Sequence, residues 1–295
     1  MIEKYLSMYL FTSIGRPVYP GYPGNFAILS VAVVCGVIAG SLRLVRSGGD
    51  IGASIATGFF MGAAVFIAWS LTREADPDHD MAAFVSAGVA FVLSILWNVP
   101  PLNLLGLGVI IVFLRMINRI VGPPFRPIDT AAAAVFVLLL AWQGDWLLVF
   151  FAALAFLIDA VMPPNPLRYH GVLALVSAGI GLFVIRQQTI AQLFLSSENV
   201  IACLAVLITF ALFFFTVRDV RTKPDAPGYT LDLNRIRACM IWLFVLGVGF
   251  MLFGGDAGIK TLVPLWGMFA GPPLYAIGNI IAKRSEQRAV TQLSK

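Results

Sequence analysis

The chain has 295 residues, of which 59% are hydrophobic and 12% are charged, and its formal net charge is +5 at pH 7. Soluble domains carry about 25% charged residues, so this composition excludes a protein whose whole surface faces water. The basic residues flank hydrophobic segments, which favours contact with the lipid bilayer and its anionic headgroups and argues against a nucleic-acid partner.

The N-terminal stretch, residues 1–25, predicts an interfacial segment that precedes the first membrane span. Apolar residues at positions 2, 5, 6, 9 and 10 have helical spacing, and prolines at positions 17, 20 and 23 then interrupt it. This pattern is typical of an amphipathic helix in the membrane interface, followed by a turn-rich entry into the first span.

Ten apolar blocks follow, and we interpret them as transmembrane helices. Blocks of roughly 17–22 residues match the length at which an α-helix crosses about 30 Å of hydrocarbon, and none shows the alternation of a barrel strand. The blocks are 26–42, 51–71, 81–98, 102–121, 129–143, 146–162, 171–187, 199–217, 238–254 and 261–282. The predicted fold class is therefore all-α: a polytopic transmembrane helical bundle of about 10 spans that forms a single integral membrane domain over residues 1–295.

The distribution of basic residues predicts the orientation. If the N-terminus lies on side A of the membrane, ten spans place 16 of the 20 Lys and Arg residues on side A. The other four, Arg43, Arg46, Arg186 and Lys260, fall on side B. Cytoplasmic loops carry the Lys and Arg excess, so we expect both termini in the cytoplasm (N-in/C-in) and a multi-pass location in the cell (inner) membrane. The longest connection, 218–237, is then a cytoplasmic basic loop.

The first candidate site is the acidic string between the second and third blocks, which runs from Arg73 to Asp80. Its aspartates, Asp76, Asp78 and Asp80, are the predicted ligands of a divalent cation such as Mg²⁺, which prefers carboxylates and substrate phosphate oxygens. The alternative is structural, because Asp-Pro-Asp favours a turn and Asp78 or Asp80 would cap the next helix. The sequence lacks both the Asn-Asp-x-x-Asp motif of membrane prenyltransferases and the Asp-Gly-x-x-Ala-Arg pattern of CDP-alcohol phosphotransferases.

The second candidate site lies at the end of the fourth block. The predicted substrate-binding residues there are Arg115, Asn118, Arg119 and Arg126. Arg115 and Arg119 are four residues apart and would share a helix face, and two guanidiniums beside an amide suit a phosphate headgroup. The alternative is an internal ion pair of either arginine with Asp129 or Asp159.

The third candidate site joins the sixth and seventh blocks. Asp159 is the carboxylate that we expect to be buried, and His170 is a candidate acid-base group or metal ligand because imidazole titrates near neutrality. These two are the predicted catalytic residues. The alternative for His170 is an interfacial position beside Tyr169.

Together these sites favour the binding or transfer of a lipid headgroup or isoprenoid phosphate at the cytoplasmic leaflet, with an anionic or isoprenoid phospholipid as partner. The alternative is a small-molecule or lipid transporter, because ten spans with both termini inside are similar to the architecture of the drug/metabolite transporter superfamily. The ionisable residues within the blocks cluster near side A, whereas coupled carriers place such residues near the bilayer midplane.

Overall fold

The computed structural model describes residues 12–16, 18–46, 48–98, 101–187 and 197–293. Over these residues the protein is all-helical, with eleven α-helices and no β-strand. The helices are α1 (Pro23–Arg46), α2 (Ile51–Ala75), α3 (Asp80–Leu96), α4 (Leu104–Asn118), α5 (Pro127–Trp142), α6 (Trp146–Val161), α7 (His170–Gln187), α8 (Ser197–Phe214), α9 (Leu233–Phe253), α10 (Gly255–Thr261) and α11 (Val263–Leu293). Each of the ten predicted apolar blocks coincides with one helix. The remaining helix, the short α10, was not predicted. The predicted amphipathic helix falls on residues outside those described.

Four helices are long and apolar enough to cross a membrane by length and composition: α1, α2, α7 and α9. The apolar helices α3 to α6 are shorter, with 15 to 17 residues each. The chain therefore has the character of a helical membrane protein.

The core is built around α4, α6 and α9. The rings of Phe113 and Phe156 meet edge to face with centroids 5.2 Å apart, and the buried Trp242 donates from Nε1 to the carbonyl oxygen of Phe151 at 3.0 Å. Because a buried indole N–H needs an acceptor, this hydrogen bond fixes α9 against α6. The three helices therefore pack together at the centre of the bundle. Their polar ends then lie next to one another at one end of it.

The helices α1 and α2 cross at a point that only glycine fits. A Cβ on Gly36 would lie 2.7 Å from the carbonyl oxygen of Gly58, and a Cβ on Gly58 would lie 2.8 Å from the carbonyl oxygen of Gly36. The two backbones therefore touch directly, which is the close approach that small residues permit between apolar helices.

The polar contacts that helix ends and connecting segments make with one another fall into two groups, one at each end of the bundle. At end A, which carries the α2–α3 loop, the contacts join Ser13 to Asp129, Arg16 to Asp225, Asp78 to Thr222 and Arg119 to Asp159. At end B, Asn103 donates to Asp145 and Asn199 donates to Asp256. The residues joined at end A all come from segments predicted on side A, and those joined at end B all come from segments predicted on side B.

Candidate functional site: a cationic cavity at end A

The segment 12–16 is held across end A by the carboxylate of Asp129, near the start of α5. This carboxylate accepts hydrogen bonds from Thr12 Oγ1 at 2.5 Å, from Ser13 Oγ at 2.6 Å and from Ser13 N at 2.9 Å. It also accepts from the backbone N–H of Arg126 at 3.0 Å, which satisfies a free donor at the helix N-terminus. Asp129 therefore pairs with neither Arg115 nor Arg119, and this branch of the predicted ion-pair alternative is wrong.

Arg115 joins α4 to α2 and to the N-terminal segment. Its Nε donates to Oε1 of Glu74 at 2.9 Å, and its Nη1 donates to the carbonyl oxygen of Ile14 at 2.6 Å. Glu74 is only 1% exposed and also faces Arg16, whose Nη1 lies 3.6 Å from the same oxygen. An ion pair with Arg115 was predicted, but its partner is Glu74.

A cavity of about 290 Å³ opens beside this ion pair. Its lining residues are Arg16, Val18, Tyr22, Asn25, Trp69, Ser70, Arg73, Glu74, Arg115, Thr222, Lys223 and Asp225. Four of them are cationic and two are anionic, so the cavity has a net positive charge. Arg73 also forms an ion pair with Asp80, which lies outside the lining.

The loop before α9 supplies one wall of the cavity. The backbone N–H groups of Asp225 and Ala226 donate to the carbonyl oxygens of Ile120 and Val121 at 3.1 and 2.9 Å, which positions Lys223 at the rim. Arg16 Nε lies 2.8 Å from Oδ2 of Asp225. Burial nevertheless raises the pKa of Asp225, and Arg16 only partly offsets it, so the carboxylate holds its negative charge less firmly than an exposed aspartate does.

The three aspartates predicted to bind a metal have three different partners. Asp76 Oδ1 lies 2.9 Å from His79 Nδ1 and accepts a hydrogen bond from it when that nitrogen carries a proton. Asp78 accepts from Thr222 Oγ1 at 2.7 Å and from the backbone N–H of Thr222 at 2.8 Å, and Asp80 pairs with Arg73. No group of three or more His, Cys, Asp or Glu side chains that could hold a metal ion occurs among the described residues.

The structural alternative for this string is confirmed in part: Pro77 and Asp78 form the turn and Asp80 lies in the first turn of α3, but neither Asp78 nor Asp80 is the N-cap. The N-cap of α3 is His79, whose side chain makes no capping hydrogen bond. Asp78 instead anchors the loop 221–222 to the α2–α3 turn. Burial raises the pKa of Asp78, but the hydrogen bonds from Thr222 and from the backbone of Arg221 outweigh burial and lower it below its ordinary value.

The Asp76–His79 pair borders a second cavity at end A, of about 360 Å³. The Asp76 side chain is 5% exposed, whereas the His79 side chain is 50% exposed, and the His79 ring lies against Tyr275 with centroids 5.8 Å apart. The hydrogen bond to Asp76 raises the pKa of His79 above its ordinary value although burial opposes it. An imidazole oriented through Nδ1 by a carboxylate has its Nε2 left for proton exchange.

The predicted catalytic pair, Asp159 and His170, is in direct contact but lies in the interior. His170 Nδ1 is 2.9 Å from Oδ2 of Asp159, and Oδ1 accepts from Arg119 at 2.9 Å and from Arg235 at 3.0 Å. Both Asp159 and His170 are 0% exposed, and His170 Nε2 lies 2.9 Å from Thr130 Oγ1. Neither residue lines any of the cavities described here, so the geometry favours the structural alternative, in which Arg119 pairs with Asp159.

The two arginines of this cluster also hold the turn that follows α6. Arg119 donates to the carbonyl oxygens of Pro164 and Asn165 at 2.8 and 2.9 Å. Arg235 donates to the carbonyl oxygens of Met162 and Pro163 at 2.6 and 3.1 Å. The cluster therefore fastens α4, α6, α7 and α9 together at end A.

The remaining predicted substrate-binding residues have structural partners as well. Asn118 is 0% exposed, and its Nδ2 donates to the carbonyl oxygen of Glu74 at 2.8 Å, which ties the end of α4 to the end of α2. Arg126 is the N-cap of α5. Of the predicted substrate-binding residues, Arg115 alone lines the cationic cavity.

Sequence reasoning did not single out Arg16, Arg73 and Lys223 as one group. Their only shared signal is the excess of basic residues on side A, and that signal does not distinguish them from the other basic residues there. Their proximity depends on the segment 12–16 and the loop 222–226, which both lack the periodicity that predicts position. Comparison of the chain with protein-family models, with curated proteins and with solved structures finds no match.

Proposed function

We propose that this chain is a ten-span protein of the cell inner membrane that binds the phosphate-bearing headgroup of an anionic or isoprenoid lipid at the cytoplasmic leaflet. The observation that carries the proposal is the cavity of about 290 Å³ at end A, which has four cationic and two anionic lining residues. Arginine and lysine are the side chains that recognise phosphate oxygens, arginine by paired N–H groups and lysine as a point charge.

The surroundings of the cavity suit an amphiphile better than a small soluble anion. Trp69 and Tyr22 both line it, and aromatic side chains of this kind belong to the interface between headgroups and hydrocarbon. Arg115 is held by Glu74 and by the carbonyl oxygen of Ile14, so its position is set before a ligand arrives. A preformed site loses less entropy on binding.

The orientation rests on the two groups of polar contacts. Segments predicted on side A meet only at end A in the contacts given above, and segments predicted on side B meet only at end B. Successive helices that cross the membrane in alternating directions would produce this pattern. Because side A holds 16 of the 20 basic residues, we assign end A to the cytoplasm.

The transporter alternative gains no specific support. An ion-coupled carrier needs ionisable groups that can exchange a proton or ion near the midplane. The buried ionisable residues Asp159, Arg119 and Arg235 are instead committed to one another and to the carbonyl oxygens of a turn at end A.

Binding can be tested on the full chain, purified in an uncharged detergent and titrated with dioctanoyl phosphatidylglycerol. Lys223→Gln removes a rim charge and should weaken binding by about fivefold. Asp225→Asn removes an anion and should strengthen binding. The matched control is Arg221→Gln, two residues from Lys223, because the Arg221 side chain is 83% exposed and pairs with Asp219 outside the cavity.

Dioctanoyl phosphatidylcholine serves as the uncharged comparison for the same titration. The proposal requires tighter binding of phosphatidylglycerol and opposite effects of Lys223→Gln and Asp225→Asn. Equal affinities for the two lipids, or an equal loss with Arg221→Gln, would overturn it.

A further inference from the structure

The proposed function leaves Arg43 and Arg46 without a role. They are two of the four basic residues on side B, the side that carries few basic residues in a membrane protein. Both lie in the last turn of α1, where cations are favourable, but neither forms an ion pair with any described residue. Being three residues apart, they project from the same side of the helix.

Both arginines line a cavity of about 590 Å³ at end B, between α1, α2 and α3. No acidic residue is among its lining residues, so its charge is positive. Its other walls combine polar and apolar groups, including Asn98, Leu42 and Phe60. A concave site with convergent polar groups and apolar walls is typical of a small-molecule site.

The wall that α3 contributes to this cavity includes Ser94. Ser94 is 2% exposed, and its Oγ has no hydrogen-bond partner within the described protein. A helical serine can donate to the carbonyl oxygen four residues earlier, as Ser86 on the same helix does to Ala82 at 3.1 Å. The Ser94 Oγ is closed off from the cavity, so the site is defined by the two arginines and not by this hydroxyl.

We propose that this cavity at end B is a second anion-binding site, which takes a phosphate group. Arg43 and Arg46 hold the phosphate, and the apolar part of a lipid ligand lies against Leu42 and Phe60. The site shares no lining residue with the end A cavity and does not depend on it. The phosphate can belong to a phospholipid headgroup or to a free phosphate, and the two sources are separable by experiment.

The test counts bound ligands on the full chain in an uncharged detergent by native mass spectrometry. One arm uses dioctanoyl phosphatidylglycerol, and the other uses inorganic phosphate. Arg43→Gln/Arg46→Gln should weaken the binding of one ligand molecule by about tenfold or more. The matched control is Arg186→Gln, which removes an exposed basic residue of side B outside the cavity.

Each outcome decides the proposal. If the double variant loses one bound phosphatidylglycerol and Arg186→Gln does not, the site exists and its ligand is a lipid headgroup. If the same difference is found with inorganic phosphate, the site exists and its ligand is free phosphate. The double variant should lose one bound ligand molecule whether or not the end A cavity also binds lipid. Absence of binding to the wild type, or equal weakening in Arg186→Gln, overturns it. The arginine side chains are exposed, so the double variant is expected to fold.

Discussion

Arg115 and Glu74, which are 41 residues apart in the chain, form an ion pair with Arg115 Nε 2.9 Å from Glu74 Oε1. The Glu74 side chain is 1% exposed and that of Arg115 is 13% exposed. Breaking a buried pair costs up to about 3–5 kcal/mol, and removal of Arg115 leaves Arg16, at 3.6 Å, as the one cation beside Glu74 among the described residues. Arg115→Ala should therefore lower the melting temperature of the detergent-solubilised protein substantially.

A double variant separates the ion pair from general damage. Arg115→Ala/Glu74→Leu removes both charges, so it should recover part of the stability lost in Arg115→Ala. Arg221→Ala serves as the surface control, with a melting temperature expected close to that of the wild type. A melting temperature for Arg115→Ala equal to that of the wild type would contradict this prediction. It would show that the Arg115 side chain reaches the membrane surface and that Glu74 does not need it as a partner.

The Asp76–His79 pair should give stability a pH dependence. The folded state raises the pKa of His79 above its ordinary value of 6.5, so the stabilising contribution is complete below pH 6.5 and is lost as the pH rises through the folded-state pKa. The melting temperatures of wild type and His79→Gln should therefore differ most below pH 6.5 and converge above the raised pKa. A difference that grows with pH would contradict the assignment.

The glycine crossing of α1 and α2 predicts a position-specific effect of one methyl group. Gly36→Ala puts a Cβ against the carbonyl oxygen of Gly58, and backbone cannot yield as a flexible side chain can, so we expect destabilisation of about 1–3 kcal/mol. Gly88→Ala is the matched control, because a Cβ there meets nothing within 4 Å and alanine favours the helix. Thermal unfolding of the two variants should move in opposite directions.

The proposed orientation predicts which side of the membrane reaches each loop. Gln143, Arg168 and Tyr229 are exposed, and single cysteines at these positions can be placed in a background that lacks Cys35, Cys203 and Cys239. A membrane-impermeant thiol reagent added to intact cells should label Gln143→Cys, whereas Arg168→Cys and Tyr229→Cys should react only after permeabilisation. Labelling of Arg168→Cys in intact cells would refute the orientation.

The sequence predicts the helices well because their signal is local. Apolar blocks of helix length occur at ten places, and each coincides with a helix. The predicted ion pair of Arg119 with Asp159 is confirmed, since a buried carboxylate beside a helix end needs a cation. These inferences need only the position of a residue along the chain.

The grouping of the arginines illustrates what the sequence cannot predict. Arg115 and Arg119 were expected to share a helix face, but Arg119 is the C-cap of α4 and has a left-handed backbone conformation with φ of 52°. The chain leaves the helix at that residue, so the Arg119 side chain reaches Asp159 while Arg115 reaches Glu74. The cavity at end A likewise depends on the loop 222–226, whose position is set by tertiary hydrogen bonds to residues 120 and 121.

The cluster around Asp159 also bears on how the chain matures during synthesis. Arg235 follows Asp159 by 76 residues, whereas Arg119 and His170 are already made when α7 emerges. Until α9 docks, the carbonyl oxygens of Met162 and Pro163 lack the donors that Arg235 supplies. A nascent chain that stops before α9 therefore presents an unfinished polar surface at end A. That surface gives cellular quality control a physical means of telling truncated chains from complete ones.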